Sequence, residues 1–158
     1  MGKDASGSPT ATLTDTYLGR AGDLGRGLGI APPQLKVVDA PKALDGPAKS
    51  QREGQLLSAA LPDKGSIVLL DERGKDWSST EWANFVDHAR QSGEGGLSFV
   101  IGGADGFADD FEMSLRARGP RKVCFGRATL PHKLVRVLVA EQIYRALSQL
   151  AGHPYHRA

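Results

Sequence analysis

Ile67 to Leu70 is an unbroken apolar run, "IVLL", set between the polar "DKGS" and the charged "DERGK". A strand without alternation leaves neither face in water, so this run predicts a strand covered on both sides, as in a parallel sheet wrapped by helices. Neighbouring segments supply more of the same pattern. "LSFVI" (97–101), "RKVCFG" (121–126) and "LKVVDA" (35–40) read as strands, while "QREGQLLSAAL", "STEWANFVDHARQSG" and "DDFEMSLRARG" carry helical spacing. Strand and helix alternate, which predicts an α/β fold with a mostly parallel sheet and ligands at the strand C-termini.

Local signals sharpen the expected elements. Ser78 precedes Glu81 by three, a capping box that opens a helix with Trp82, Phe85, Val86 and Ala89 on one face. "TLTDTYLGRAGDLGRGLG" predicts a short helix around Leu13, Tyr17 and Leu18 that its glycines end. "PKALDGPAKSQREG" reads as mobile, Asp71 to Gly74 as a charged turn, and residues 1–10 as a flexible N-terminus.

Composition then limits the classes of function. At 158 residues the chain suits one domain, taken as 11–158. Cys124 is the only cysteine, so there is no disulfide framework and no CxxC metal pair, which favours a reducing, cytoplasmic setting. The N-terminus has no apolar core of a signal peptide, and no apolar run approaches a membrane span. Charge is uneven: residues 1–110 hold eleven Lys/Arg against sixteen Asp/Glu, residues 111–158 nine against two. Arg116, Arg118, Arg121, Lys122, Arg127, Lys133 and Arg136 suit either a footprint for a polyanion such as RNA or a solvated basic face.

Three segments carry the chemistry. In "LSFVIGGADGF" a strand runs into Gly102, Gly103 and Gly106, a turn that lets backbone approach a ligand closely. "LPHKLVRVLVAEQIYRALSQLAG" is a helix started by Pro131 whose first half is apolar almost all round, which predicts cover by its own sheet and by a second subunit. The chain ends in "GHPYHRA", with two histidines, a tyrosine and an arginine within five residues.

Together "FVIGGADGF", "ATLPHKLVRVLVAEQIYRAL" and "HPYHR", in that order, resemble the RlmH (YbeA) family of SPOUT methyltransferases, from about Leu13 onward and most densely from Ser66. The resemblance implies an S-adenosylmethionine-dependent enzyme that methylates N3 of a pseudouridine in 23S ribosomal RNA, within the large subunit or the assembled 70S ribosome. It also implies a homodimer and a SPOUT α/β domain with helices on both sheet faces, whose region from about 97 to 158 forms a deep trefoil knot. Carried over by motif, the cofactor loops are the strand end at Leu70, Gly102 with Gly103, and Arg127, Ala128, Thr129, Leu130, Pro131 and His132. Family members open on an apolar strand that leads into a VG-K or VG-R turn. "MGKDASGSP" begins at that turn, so the expected sheet lacks its first strand, and a wrongly chosen start codon would account for it.

The residues fit that chemistry on physical grounds. Leu70 and Leu130–Pro131 offer apolar surface for adenine, and bare backbone at Gly102 and Gly103 admits the ribose or methionine portion, so that a side chain at Gly103 is expected to fill the ligand's space. Methyl transfer from a sulfonium is an in-line displacement that needs mainly positioning. The acceptor nitrogen must lose a proton, for which His132, His153 and His156 are the candidates, with Tyr155 and Arg157 shaping the site and meeting RNA.

Plainer roles stand beside these. His132 also suits a helix start, HxxH at His153 and His156 has no third ligand nearby to make a metal site, Arg136 and Arg145 suit pairing with Glu141, and Trp77 and Trp82 suit packing. Two other functions remain open: a noncatalytic RNA- or ribosome-binding module with the same fold, and a nucleotide-binding protein whose GGxxG turn cradles phosphate.

Overall fold

The computed structural model of the chain describes residues 7–41, 43–93, 95–103 and 105–155. In chain order the elements are α1 (Pro9–Gly27), α2 (Gly46–Ala60), β1 (Ser66–Asp76), α3 (Ser79–Ser92), β2 (Leu97–Ile101), α4 (Asp109–Leu115), a 3-10 turn (Arg116–Arg118), β3 (Arg121–Cys124) and α5 (His132–Leu150). They fall into two compact units. The first lies within Lys36–Asp76 and Glu94–His132, the second within Asp4–Leu35, Trp77–Gly93 and Lys133–Ala158.

The first unit is built on a three-stranded sheet of order β2-β1-β3, parallel throughout. Ile67, Val68, Leu69 and Leu70 are all buried, as an unbroken apolar strand requires. Ile67 and Leu69 join Val100, Phe111 and Leu115 in one core, against which Leu57, Leu61, Phe107 and Ala108 pack. α2 reaches this core closely because it has no side chain at Gly54, where a Cβ would stand 2.9 Å from Phe111 Cβ. Arg118 donates to the carbonyls of Pro62 at 2.8 Å and Gly65 at 2.9 Å, fastening the loop that enters β1.

The charged turn expected at Asp71–Gly74 is instead an excursion within β1. Val123 is the partner of both Leu70 and Lys75, so the residues between them leave the ladder and return to it. Two local features make this possible. Asp71 Oδ1 accepts from the backbone N–H of Arg73 at 2.9 Å, which curls the chain. Gly74 then lies directly on β3, where a Cβ would come 2.4 Å from Val123 N.

"LKVVDA" is no strand: residues 35–40 belong to none of the strands of the described residues, and Leu35 is 45% exposed. The β preference of Val37 and Val38 is weak without a neighbouring strand, and Pro32, Pro33 and Pro41 flank the segment. α2 likewise starts at Gly46, inside the stretch that reads as mobile.

The second unit comprises α1, α3 and α5. α1 begins earlier and ends later than expected: Ser8 caps it, its side chain accepting from Ala11 N, and it runs through Gly19, Gly22 and Gly25. Part of the stretch 1–10 is therefore helical, while residues 1–6 lie outside the described residues. Gly22 and Gly25 serve the returning chain, since Cβ atoms there would stand 3.3 Å from Pro32 Cβ and 3.2 Å from Ile30 O. α3 carries the expected capping box between Ser78 and Glu81, and Trp82, Ala83, Val86 and Ala89 are its buried residues. Trp77 packs edge-on to Trp82 at 5.6 Å and lies 5.0 Å from Phe85, which gives both tryptophans packing roles. Tyr17 of α1 approaches Tyr144 of α5 at 6.1 Å, and Ser79 of α3 donates to Gln142 of α5.

Candidate functional site

The parallel register aligns Leu70 with both Ile101 and Val123, so β2, the first stretch of β1 and β3 reach the same edge of the sheet side by side. Three chain segments leave that edge: the excursion 71–74, the glycine turn from Gly102 and the stretch 125–131. These are the segments singled out by motif, and the first and third touch, Thr129 Oγ1 donating to Glu72 Oε2 at 3.4 Å. Leu70 is 9% exposed and Leu130 half-buried; Arg127, Ala128, Thr129 and Pro131 are exposed. His132, half-buried, is the first residue of α5.

The glycine turn is closed by a bridge between Gly103 and Gly106, with Gly106 N donating to Gly103 O at 3.2 Å. The absent side chains here serve the protein itself. A Cβ on Gly102 would meet Gly106 C at 3.3 Å and Phe107 Cε1 at 3.4 Å, and one on Gly103 would meet Glu53 Oε2 at 2.5 Å. The space expected for a ligand on the Cβ side of Gly103 is thus held by the Glu53 carboxylate. Glu53 comes from α2 and is 7% exposed.

Charge at the excursion is organised around Asp71, whose side chain is only 5% exposed. Its carboxylate accepts from Arg73 Nε at 3.0 Å and from the Arg73 guanidinium again at 2.9 Å, with Lys122 Nζ at 3.4 Å. The hydrogen bonds from Arg73 hold Asp71 down to a pKa of about 2, against the opposing effect of burial. Lys122 also binds Glu112 at 2.6 Å.

The basic footprint is thereby thinned. Arg118 and Lys122 are committed to loop carbonyls and carboxylates, and Arg136 is 7% exposed, whereas Arg116, Arg121 and Arg127 stand exposed.

The C-terminal tail belongs to the second unit. Tyr155 OH donates to Glu141 Oε1 at 3.1 Å, the same oxygen that takes Arg145 Nε at 2.9 Å, and the Tyr155 ring lies 4.5 Å from that of Tyr144. Burial first, then hydrogen bonding with Tyr17 and the charge of Glu141, push the Tyr155 phenol well above its usual 10.0. His153 Nδ1 accepts from Tyr155 N at 3.2 Å. Tyr155 is therefore engaged within its own chain, Arg145 pairs with Glu141 as the helical spacing allows, and His156 and Arg157 lie outside the described residues.

Among the described residues no helix is long and apolar enough to cross a membrane, and no group of His, Cys, Asp and Glu is arranged to hold a metal ion.

The family model "Predicted SPOUT methyltransferase" matches residues 4–156. The chain belongs to the SPOUT methyltransferase family. It is similar to proteins named Ribosomal RNA large subunit methyltransferase H. That of Bradyrhizobium diazoefficiens is 41% identical over 150 residues, covering 95% of this chain and 91% of the relative. That of Methylobacterium sp. is 43% identical over 149 residues, covering 94% and 90%. That of Paramagnetospirillum magneticum is 47% identical over 126 residues, covering 80% of each. These relatives place the chain in the RlmH family, as the three motifs imply.

Family motifs do not draw attention to the residues that shape this edge. Glu53 is missed by motif reading because it acts on the glycine turn from outside it, and the motif names Asp71 and Gly74 only as a charged turn, without the contacts they make with Arg73 and Val123. The one sign is a glutamate on the buried face of α2, since a carboxylate is rarely buried without a structural reason.

Proposed function

We propose that the chain is an S-adenosylmethionine-dependent methyltransferase acting on N3 of a pseudouridine in 23S ribosomal RNA, in the large subunit or the 70S ribosome. The observation that carries this reading is the alignment of Leu70, Ile101 and Val123, which delivers the three motif segments to one sheet edge in a chain of the SPOUT family. The finer fold belongs to the same proposal: one SPOUT domain over 11–158 with helices on both sheet faces, knotted from about 97 to 158, working as a homodimer in the cytoplasm. Leu134 of α5 is 41% exposed beside half-buried Val135 and Leu138, an apolar strip that a second copy would cover.

The edge suits this cofactor. Leu70 and Leu130 give the adenine an apolar surface, and the exposed acidic side chain of Glu72 suits a ligand bearing a sulfonium and an ammonium. A phosphate at the glycine turn would lie near the negative charge of the Glu53 carboxylate behind Gly103, which disfavours the nucleotide-phosphate reading. When bound, S-adenosylmethionine supplies an electrophilic methyl group.

The protein's own part is positioning. Leu70, Gly102, Gly103 and the segment from Arg127 through Ala128, Thr129, Leu130 and Pro131 to His132 hold the donor, while Arg116, Arg121 and Arg127 offer exposed cations to RNA phosphates. A histidine takes the N3 proton. His132, His153 and His156 are the candidates, with Arg157 toward RNA and Tyr155 holding the tail in place through Glu141.

Calorimetric titration with S-adenosylmethionine tests the reading. Saturable binding, and methyl incorporation into ribosomes from a strain lacking the activity, are expected. RNA binding without cofactor binding would mark a noncatalytic module.

A further inference from the structure

Glu53 is a buried carboxylate that no motif of this chain accounts for. It sits on α2, fixed by Leu57 and Leu61 in the sheet core and by the close approach of Gly54 to Phe111. Gln51, one half-turn away, donates to Asp110 of α4 at 3.0 Å, so α2 is tied on both sides to the chain that follows the glycine turn. From this rigid base Glu53 reaches Gly103 so closely that a Cβ there would stand 2.5 Å from Oε2, and it remains 7% exposed. Burying a carboxylate is costly unless neighbouring groups satisfy it, and glycine turns have several possible shapes.

We propose that Glu53 is a positioning residue: its buried carboxylate is the seat on which the 102–106 turn rests, and it fixes the turn in the shape that binds the cofactor. This rests on the cofactor reading above and assigns to α2, which contains none of the family motifs, control over cofactor affinity. It also gives a different reason for glycine at 103. Glycine at 103 leaves the Glu53 carboxylate its place, and a Cβ there would make that carboxylate shift, whatever ligand lies on the other side.

The experiment combines S-adenosylmethionine titration with amide hydrogen exchange of the ligand-free protein. Glu53→Ala is expected to weaken cofactor binding about tenfold and to speed exchange in 102–106, the scale of an interaction lost at a buried polar group. Glu53→Gln, which keeps an acceptor oxygen at the same reach, is expected to stay within about threefold of the unsubstituted protein. Leu57→Ala removes core packing while keeping the Glu53 carboxylate, and is expected to lower the melting temperature with a smaller loss of affinity than Glu53→Ala. Gly103→Ala alone is expected to weaken binding at least about tenfold, yet to add nothing in the Glu53→Ala background, where its clash is gone.

Three results would overturn the proposal: normal turn exchange and affinity in Glu53→Ala, equal loss of affinity in Leu57→Ala, or additive effects of the two substitutions at 53 and 103. Failure of the unsubstituted protein to bind S-adenosylmethionine would remove the cofactor reading itself. Exchange in the turn would then still decide whether Glu53 is its seat.

Discussion

Gly74 and Val123 meet backbone to backbone: a Cβ on Gly74 would come 2.4 Å from Val123 N and 2.6 Å from Val123 C. Neither atom belongs to a side chain that can rotate away. Gly74→Ala is therefore expected to push β3 from β1 and to destabilise the protein by about 3 kcal/mol. Denaturant titration reads this, and an unchanged midpoint would show that the excursion does not press on β3.

Gly54→Ala tests the opposing effects of helix propensity and packing. In an exposed helix the change would stabilise by up to about 1 kcal/mol. Here the new methyl would lie 2.9 Å from Phe111 Cβ, inside the core that Phe111 shares with Ile67 and Leu69. Net destabilisation of about 2 kcal/mol is expected, because Phe111 Cβ moves only with its helix. A raised melting temperature would contradict the close α2–α4 packing.

Asp71 makes stability depend on acid pH. Its folded pKa of about 2 lies below its ordinary 3.8, so its contribution is full above that ordinary value and is lost as pH falls from about 4 to about 2. Asp71→Asn is expected to cost about 1–2 kcal/mol at neutral pH, allowing for solvent screening of its exposed partner Arg73. The gap between variant and unsubstituted protein is expected to narrow through that acid window in paired denaturation curves.

Tyr155 has the opposite signature at alkaline pH. Its phenol is raised above 10.0, so the stability it contributes is complete below that value and declines as pH climbs beyond it. Tyr155→Phe is expected to cost about 1 kcal/mol at neutral pH through the lost bond to Glu141, and to remove that alkaline decline. Spectroscopic titration of the three tyrosines is expected to leave one protonated well past the usual range.

What could be read in the sequence was what local pattern determines. "IVLL" announced a doubly covered strand, and Ser78 with Glu81 announced a helix start, because both signals lie within a few neighbouring residues. Gly22 and Gly25 of α1 misled because their role is set by Pro32 and Ile30, which fold back onto the helix. "LKVVDA" misled because a strand needs a partner that no local preference supplies. At the site, the motifs named the three segments at the edge. They could not name Glu53, whose relation to Gly103 exists only after α2 has packed.

Val123 opposes Leu70 on one side of the 71–74 excursion and Lys75 on the other. The two ends of that loop are thus pinned to a single residue of the adjacent strand, and the entropy of closing it is lost when the sheet forms. A ligand arriving at this edge meets a loop whose span is already set, so little ordering is left to oppose its binding. Lengthening the excursion by a residue would leave the sheet's own pairing intact while returning that freedom to the loop, and the change would be felt in ligand affinity more than in folding.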